Sequence, residues 1–325
     1  MSLDFVSPNW LILYFNIVAF ISFFLNFTTI LLIIFKSYKF NNFRFFVLVF
    51  QVTCTITDLH LNFIMQPAPL MPVWACRFEG FGVKILNIWP NYLMAFMFSL
   101  VGFQFNSIGF CFLKKHQIIK NTLRRNLIPN WGYIAFIIST LPLIVLIFIS
   151  VSQIGLSKEK SLEFAKINYP EYAVQFSKIS NLMFFDSNLW LTGVLFISGF
   201  GGCLLGAIVT MTTLDMFKML GELRRKVSFK NFARHRAVVR SLLAQCAATA
   251  ILLLPGAAIF AIFLYPDEKS REISQIIVCI YALRSSASSV ILVITTPPYR
   301  AYIIRKFASK LGVKASPAMG STSIM

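Results

Sequence analysis

Charge is scarce in this 325-residue chain. Lys, Arg, Asp and Glu make up 13% of it, against about 25% in an ordinary soluble domain. Acids are scarcer still, with 12 Asp and Glu against 30 Lys and Arg. There are only three histidines, His60, His116 and His235, and they are scattered. The chain has no Cys-x-x-Cys, no Gly-x-Ser-x-Gly and no phosphate-binding loop, so the common enzyme signatures are missing. Neither a metal nor a cofactor is expected. The N-terminus has no basic stretch ahead of its first apolar run and no small-x-small cleavage site. That run is therefore expected to stay as a span and not to be removed as a leader.

Apolar surface is what the chain has in excess. It is 57% apolar, contains 35 Phe and has a mean hydropathy of +0.73. One soluble core of this size could not hide so much. The net charge of +18 would fit a nucleic-acid binder. Here the basic residues lie between apolar runs and form no basic domain, so nucleic acid is not expected as a partner.

Seven apolar runs are legible, at about 10–35, 45–65, 86–113, 131–151, 188–214, 237–264 and 274–296. About 20 helical residues cross a hydrocarbon core of roughly 30 Å, and in lipid the backbone must satisfy itself, so each run reads as a helix. Trp10, Trp89, Trp131 and Trp190 fall near span ends, as an interfacial aromatic belt requires. The loops on one side, counted with Arg240 at the inner end of the sixth run, carry 21 basic residues and two acids, Asp215 and Glu222; the other side carries 8 basic and nine acidic residues. The basic side is expected to be cytosolic and the N-terminus outside. That is the arrangement of G-protein-coupled receptors and the reverse of insect odorant-receptor channels. A retinal protein needs a lysine in its last span, where this chain has Arg284. A transporter or channel with the same span count is the alternative, although an odd number of spans and no visible repeat speak against it.

Three blocks carry a family resemblance: "YALRSSASSVILVITTPPYR" at 281–300, "FIMQPAPLMPVWACRFEGFG" at 63–82 and "FCFLKKHQIIK" at 110–120. The chain resembles nematode serpentine chemoreceptors, closest to class I with class H beside it, over nearly its whole length. The resemblance implies an all-α, rhodopsin-like seven-transmembrane bundle over residues 1–312, with a short cytosolic tail at 313–325. It also implies coupling to a heterotrimeric G protein, and a multi-pass place in the plasma membrane, on the cilia of chemosensory neurons.

The last span ends at Pro297 and Pro298, which lack N–H donors and push the residue before them out of helical geometry. Rhodopsin-like receptors carry Asn-Pro-x-x-Tyr here; this chain has Thr296 in place of Asn and Tyr299 directly after the prolines. Tyr299 is a switch candidate on that loose likeness. An amphipathic eighth helix is expected over about 299–311, with Ile303, Ile304, Phe307, Ala308 and Leu311 on one face. Basic residues at Lys114, Lys115, Arg124, Arg125, Arg224, Arg225 and Lys226 are expected to face a G protein or membrane lipid, although topology alone would also produce them. The Asp-Arg-Tyr that ends the third span of rhodopsin-like receptors is absent, with Phe110-Cys111-Phe112 and then Leu113-Lys114 in its place.

Within the spans, Gly202 and Gly206 form a Gly-x-x-x-Gly pair beside Gly199 and Gly201, a pattern that lets a second helix come close. Pro255 should kink the sixth span and is a candidate pivot. Of the six cysteines only Cys76 is clearly in an outer segment; a bridge to Cys279 would need the last span to begin deeper. A small-molecule pocket is expected in the outer half, lined by Asn91, Tyr92, Phe96, Phe260, Phe263 and Tyr281; packing or lipid-facing aromatics would look the same. Asp58 and Arg284 lie at a similar depth, each roughly 20 Å from the inner side at 1.5 Å per residue. Such residues turn inward and pair. An Asp58–Arg284 ion pair is expected, with His60 a possible neighbour and Ser285, Ser286, Ser288 and Ser289 adding hydroxyls.

Overall fold

The computed structural model describes residues 7–36, 43–71, 73–124, 130–179, 181–185, 188–251, 262, 267 and 269–310. Below, "outer" means the face at which the first helix begins, and "inner" the opposite face.

The apolar runs are helices: α1 (Asn9–Lys36), α2 (Phe43–Leu59, continued by a π-helical turn His60–Met65), α4 (Pro90–Thr122), α5 (Asn130–Ile154), α8 (Leu189–Lys226) and α9 (Phe229–Ile251). The last run is two helices, α10 (Ser270–Ala282) and α11 (Arg284–Thr295), and α12 (Pro297–Lys310) follows. Among the described residues, five helical stretches are long and apolar enough to cross a membrane, and Ile138–Ile154 is a shorter apolar one. α4 begins with Pro90 at its first position, after Trp89 in an extended conformation, because proline needs no N–H partner there. Asn188 caps α8 by accepting hydrogen bonds from the backbone of Trp190 and Leu191.

Two helices run further inward than their apolar stretches. The third run was expected over 86–113, yet α4 continues to Thr122; the fifth was expected to stop at 214, yet α8 continues to Lys226. A helix does not end where the lipid ends; its basic, amphipathic turns carry on past the core. At 38 residues, α8 is roughly 57 Å long.

The two prolines begin a helix as well as ending one. Thr296 is extended (φ −99°, ψ 104°), and Pro297 and Pro298 form the first turn of α12, where their missing N–H groups cost nothing. Tyr299 is buried among Phe43, Leu242 and Leu292, and Lys36 lies over the Tyr302 ring at 4.3 Å, so α12 is held against α1. Ile303 packs on the inner core while Ile304 is exposed. The side chain of Phe307, and all of Leu311 and the tail, lie outside the described residues.

The outer loops build a cap that the apolar pattern does not announce. β1 (Pro67–Pro69), β2 (Ala75–Phe78) and β3 (Leu182–Phe184) form an antiparallel sheet in that order, pairing Ala68 with Arg77 and Cys76 with Met183. The short helices α3 (Phe81–Lys84), α6 (Lys158–Asn168) and α7 (Ala173–Ser177) complete it. Phe176, Phe184 and Leu182 form a cap core with Leu70 and Val73. Phe78, Cys76 and Met183 face the bundle and pack with Leu11, Phe15, Leu61, Leu93 and Val278. Glu79 is buried and receives three partners: Ser7 at 2.9 Å, Arg77 at 2.5 Å and Lys84 at 2.7 Å. At Gly80, an added Cβ would lie 2.2 Å from the Ile64 carbonyl oxygen, so only glycine lets the cap approach the end of α2.

Candidate functional site

Three groups of side chains sit within the bundle. The first is a polar core between α1, α2, α4 and α11. Asn26 and Gln51 have no exposed surface, and Asp58 and Arg284 are each 4% exposed. Asn26 donates to Asp58 Oδ2 at 3.2 Å; its own carbonyl accepts from Gln51 at 2.7 Å and from the Ser285 and Ser289 hydroxyls. Gln51 also donates to Ser289 Oγ at 2.6 Å, and Ser22 bonds to Ser286. In lipid these bonds have no water to compete with them, so they join α1, α2 and α11 where apolar packing alone would be non-directional.

The expected Asp58–Arg284 ion pair is not formed. Arg284 instead donates to Gln104 Oε1 on α4, and its guanidinium lies 5.2 Å from the Tyr281 ring centroid. The reason lies in the amides: Asn26 supplies a donor to Asp58 and Gln104 an acceptor to Arg284, so each charge has a neutral partner on another helix. His60 points elsewhere, bonding the Leu93 carbonyl at 2.8 Å and meeting the Phe96 ring edge-on. Gln51 Oε1, Gln104 Nε2, Arg284 Nε and Ser288 Oγ are buried with no hydrogen-bond partner among the described residues, so spare donors and acceptors remain within the core.

The second group joins the inner ends of α4, α8 and α9. His116 bonds Asp215 at 2.7 Å, with Lys120 3.7 Å from the same carboxylate. Lys115 is buried, and its ammonium lies 3.3 Å from His235 Nδ1 and near the Phe43 ring. Lys115 was expected on the surface that meets a partner; it faces into the bundle. Lys114 bonds Gln117. Arg124, Arg224, Arg225 and Lys226 are exposed, and Arg125 lies outside the described residues. Below, Arg224, Arg236, Arg240, Phe217, Phe229 and Phe232 line a groove of about 470 Å³ between α8 and α9.

The third is a cavity of about 520 Å³ between α4, α5, α8 and α9 at mid-bundle depth. Of the expected pocket residues, Asn91, Tyr92, Phe96 and Tyr281 do not line it. Asn91 is buried in a structural contact, donating to the Gly155 carbonyl at 2.8 Å. Tyr92 and Phe96 are exposed, and Tyr281 lies by Arg284. Phe260, Phe263 and the candidate pivot Pro255 lie outside the described residues. Among the described residues no helix approaches the Gly-x-x-x-Gly pair: Cβ atoms on Gly202 and Gly206 would meet nothing within 4 Å, and both glycines line the cavity. All six cysteines are free. Burial pushes the Cys76 thiol up from its ordinary pKa.

The partners of Asp58 and Arg284 are amides, not each other. Asn26, Gln51, Gln104 and Asn106 were the missing signal: amides inside spans, each needing a partner.

A family model described as "Serpentine type 7TM GPCR chemoreceptor Sri" matches residues 1–303. The crystal structure of squid rhodopsin superimposes with a TM-score of 0.60 at 10% identity, covering 93% of this chain and 85% of that one. At that identity the likeness establishes the fold, a rhodopsin-like seven-helix bundle. No curated protein matches the sequence.

Proposed function

Because the chain belongs to the serpentine seven-transmembrane chemoreceptor family Sri, we propose that it detects a small, apolar chemical cue and passes the signal to a heterotrimeric G protein. The observation that carries the output half is the inner groove between α8 and α9, which Arg224, Arg236 and Arg240 line together with Phe217, Phe229 and Phe232. Arginines beside aromatics, of which Phe217 and Phe229 are exposed, suit an acidic, amphipathic partner segment. With Asp-Arg-Tyr absent, the bonds of His116 to Asp215 and of Lys115 to His235 take over the task of holding the inner ends of α4, α8 and α9 together at rest. Opening the groove means separating them. Tyr299, buried at the start of α12, and the spare polar atoms around Arg284 are the further switch elements. α12 and the exposed basic residues lie on the inner leaflet, with the N-terminus outside and the receptor on a ciliary plasma membrane.

The test is nucleotide exchange on a purified G protein with the receptor in nanodiscs, screened against volatile apolar compounds. The receptor accelerates exchange when its cue is present. Substrate-dependent flux in liposomes with no exchange on any G protein would instead support a transporter or channel. Topology is checked separately: a tag on the N-terminus is reached by antibody on intact cells and one on the C-terminus only after permeabilisation. The reverse pattern removes the receptor reading.

A further inference from the structure

The cavity between α4, α5, α8 and α9 is walled by Phe98, Phe105, Ile144, Ile197, Leu205 and Val209. Its volume, about 520 Å³, lies within the roughly 300–1,000 Å³ of small-molecule sites. Gly201, Gly202 and Gly206 make part of the wall on α8. A Cβ on Gly201 would meet only the tip of Leu143, at 3.9 Å. Among the described residues these three glycines hold no helix close; they keep space open. Gly109 on α4 behaves differently, because a Cβ there would come within 2.6 Å of Leu205. Close-packed interiors do not leave volume of this size without reason.

One polar group marks the space. Asn106 of α4 lines it, half-buried, and its amide makes no hydrogen bond among the described residues. A carboxamide at membrane depth calls for a partner. A hydrocarbon chain offers none; an alcohol, ketone or ester does.

Access follows from the cap. β2 and β3 close over the outer ends of α1, α2, α4 and α10, whereas Leu195, Phe196 and Phe200 of α8, close in sequence to the cavity-lining Ile197 and Gly201, are exposed on the outside of the bundle. The cavity also touches Cys246, Thr249 and Ala250 of α9. From Thr249 to His235, the residue that meets Lys115, is one continuous helix of roughly 21 Å. An occupant that moves α9 at Thr249 therefore moves the contact at His235.

We propose that this cavity binds a small apolar molecule bearing one hydrogen-bonding group, received from the bilayer, with Asn106 as the polar contact and the α8 glycines as the space. The site deepens the chemoreceptor reading and rests on it for what binding triggers.

The experiment uses the full chain in phosphatidylcholine nanodiscs and a diazirine-bearing octanol as photoprobe, with labelled residues mapped by mass spectrometry. The expected result is saturable labelling within 98–109 and 197–210, displaced by excess plain octanol. Labelling falls at least tenfold in Gly202→Leu/Gly206→Leu, and half-saturation rises about tenfold in Asn106→Leu. Displacement in the wild type needs no variant and stands even if one fails to fold. Labelling that climbs linearly with probe, spread over the lipid-facing surface, would overturn the site as mere partition. So would labelling of the same residues by a phospholipid with a diazirine in its acyl chain that octanol cannot displace, since the occupant is then lipid. Nucleotide exchange on the G protein is measured in parallel on the same nanodiscs. Lost labelling with cue-stimulated exchange intact sinks this site and leaves the receptor reading standing.

Discussion

The two sides of the bundle are built in opposite ways. In α2 and its continuation, 56% of the most apolar window is buried; in α8 the figure is 6%. On the α1–α2–α11 side, buried amides and hydroxyls bond across helices, with Asn26 alone meeting α2 and α11. On the α5–α8 side the contacts are apolar, and three glycines border a cavity. Directional bonds in lipid fix one arrangement of helices, whereas apolar contacts with space beside them allow several. On the proposed reading, the first side holds the fold and the second changes it.

The largest expected effect comes from breaking the fixed side. Asp58→Ala and Arg284→Ala each leave a buried partner unsatisfied and lower stability by about 3 kcal/mol, read as a lower unfolding temperature in detergent. A double-mutant cycle sharpens the point: Arg284 couples to Gln104 more strongly than to Asp58. Coupling concentrated on Asp58 would contradict the network described here.

Glycine substitutions compare the two sides directly. Gly80→Ala drives a methyl into the Ile64 carbonyl and destabilises by about 2 kcal/mol. Gly202→Ala, facing open space, changes stability by less than about 0.5 kcal/mol. Equal losses at the two positions would erase the contrast between the sides.

The inner contacts have a smaller effect on stability. Asp215→Asn weakens the bond to His116 by about 1 kcal/mol and raises exchange without a cue several-fold, because α4 and α8 part more easily. Unchanged basal exchange would show that this contact does not restrain the inner ends.

The smallest effect is at Cys76, whose thiol is buried in the cap with its pKa pushed up. The thiolate is scarce at neutral pH, so a water-soluble maleimide leaves Cys76 unlabelled on intact cells. Rapid labelling at pH 7 would mean that the cap opens.

The helices were legible because twenty apolar residues have few other solutions. The cap was not: its strands are three or four residues long, one contains two prolines, and β3 pairs with β2 from more than a hundred residues away in sequence. Depth was legible at Asp58 and Arg284, but partners were not, because a period places a residue on a face and says nothing of which amide across the bundle reaches it first. Gly202 and Gly206 show the same limit. Spacing identified a bare face on α8, and only the neighbouring helices decide whether that face is filled or open.

The central claim is that the open side senses and the fixed side holds. Cue-stimulated nucleotide exchange measured in wild type and in Gly202→Leu/Gly206→Leu tests it most directly. The account predicts that the filled receptor reaches the membrane, unfolds at the wild-type temperature, keeps its basal exchange and loses stimulation. A filled receptor that answers the same cue at the same concentration would contradict it.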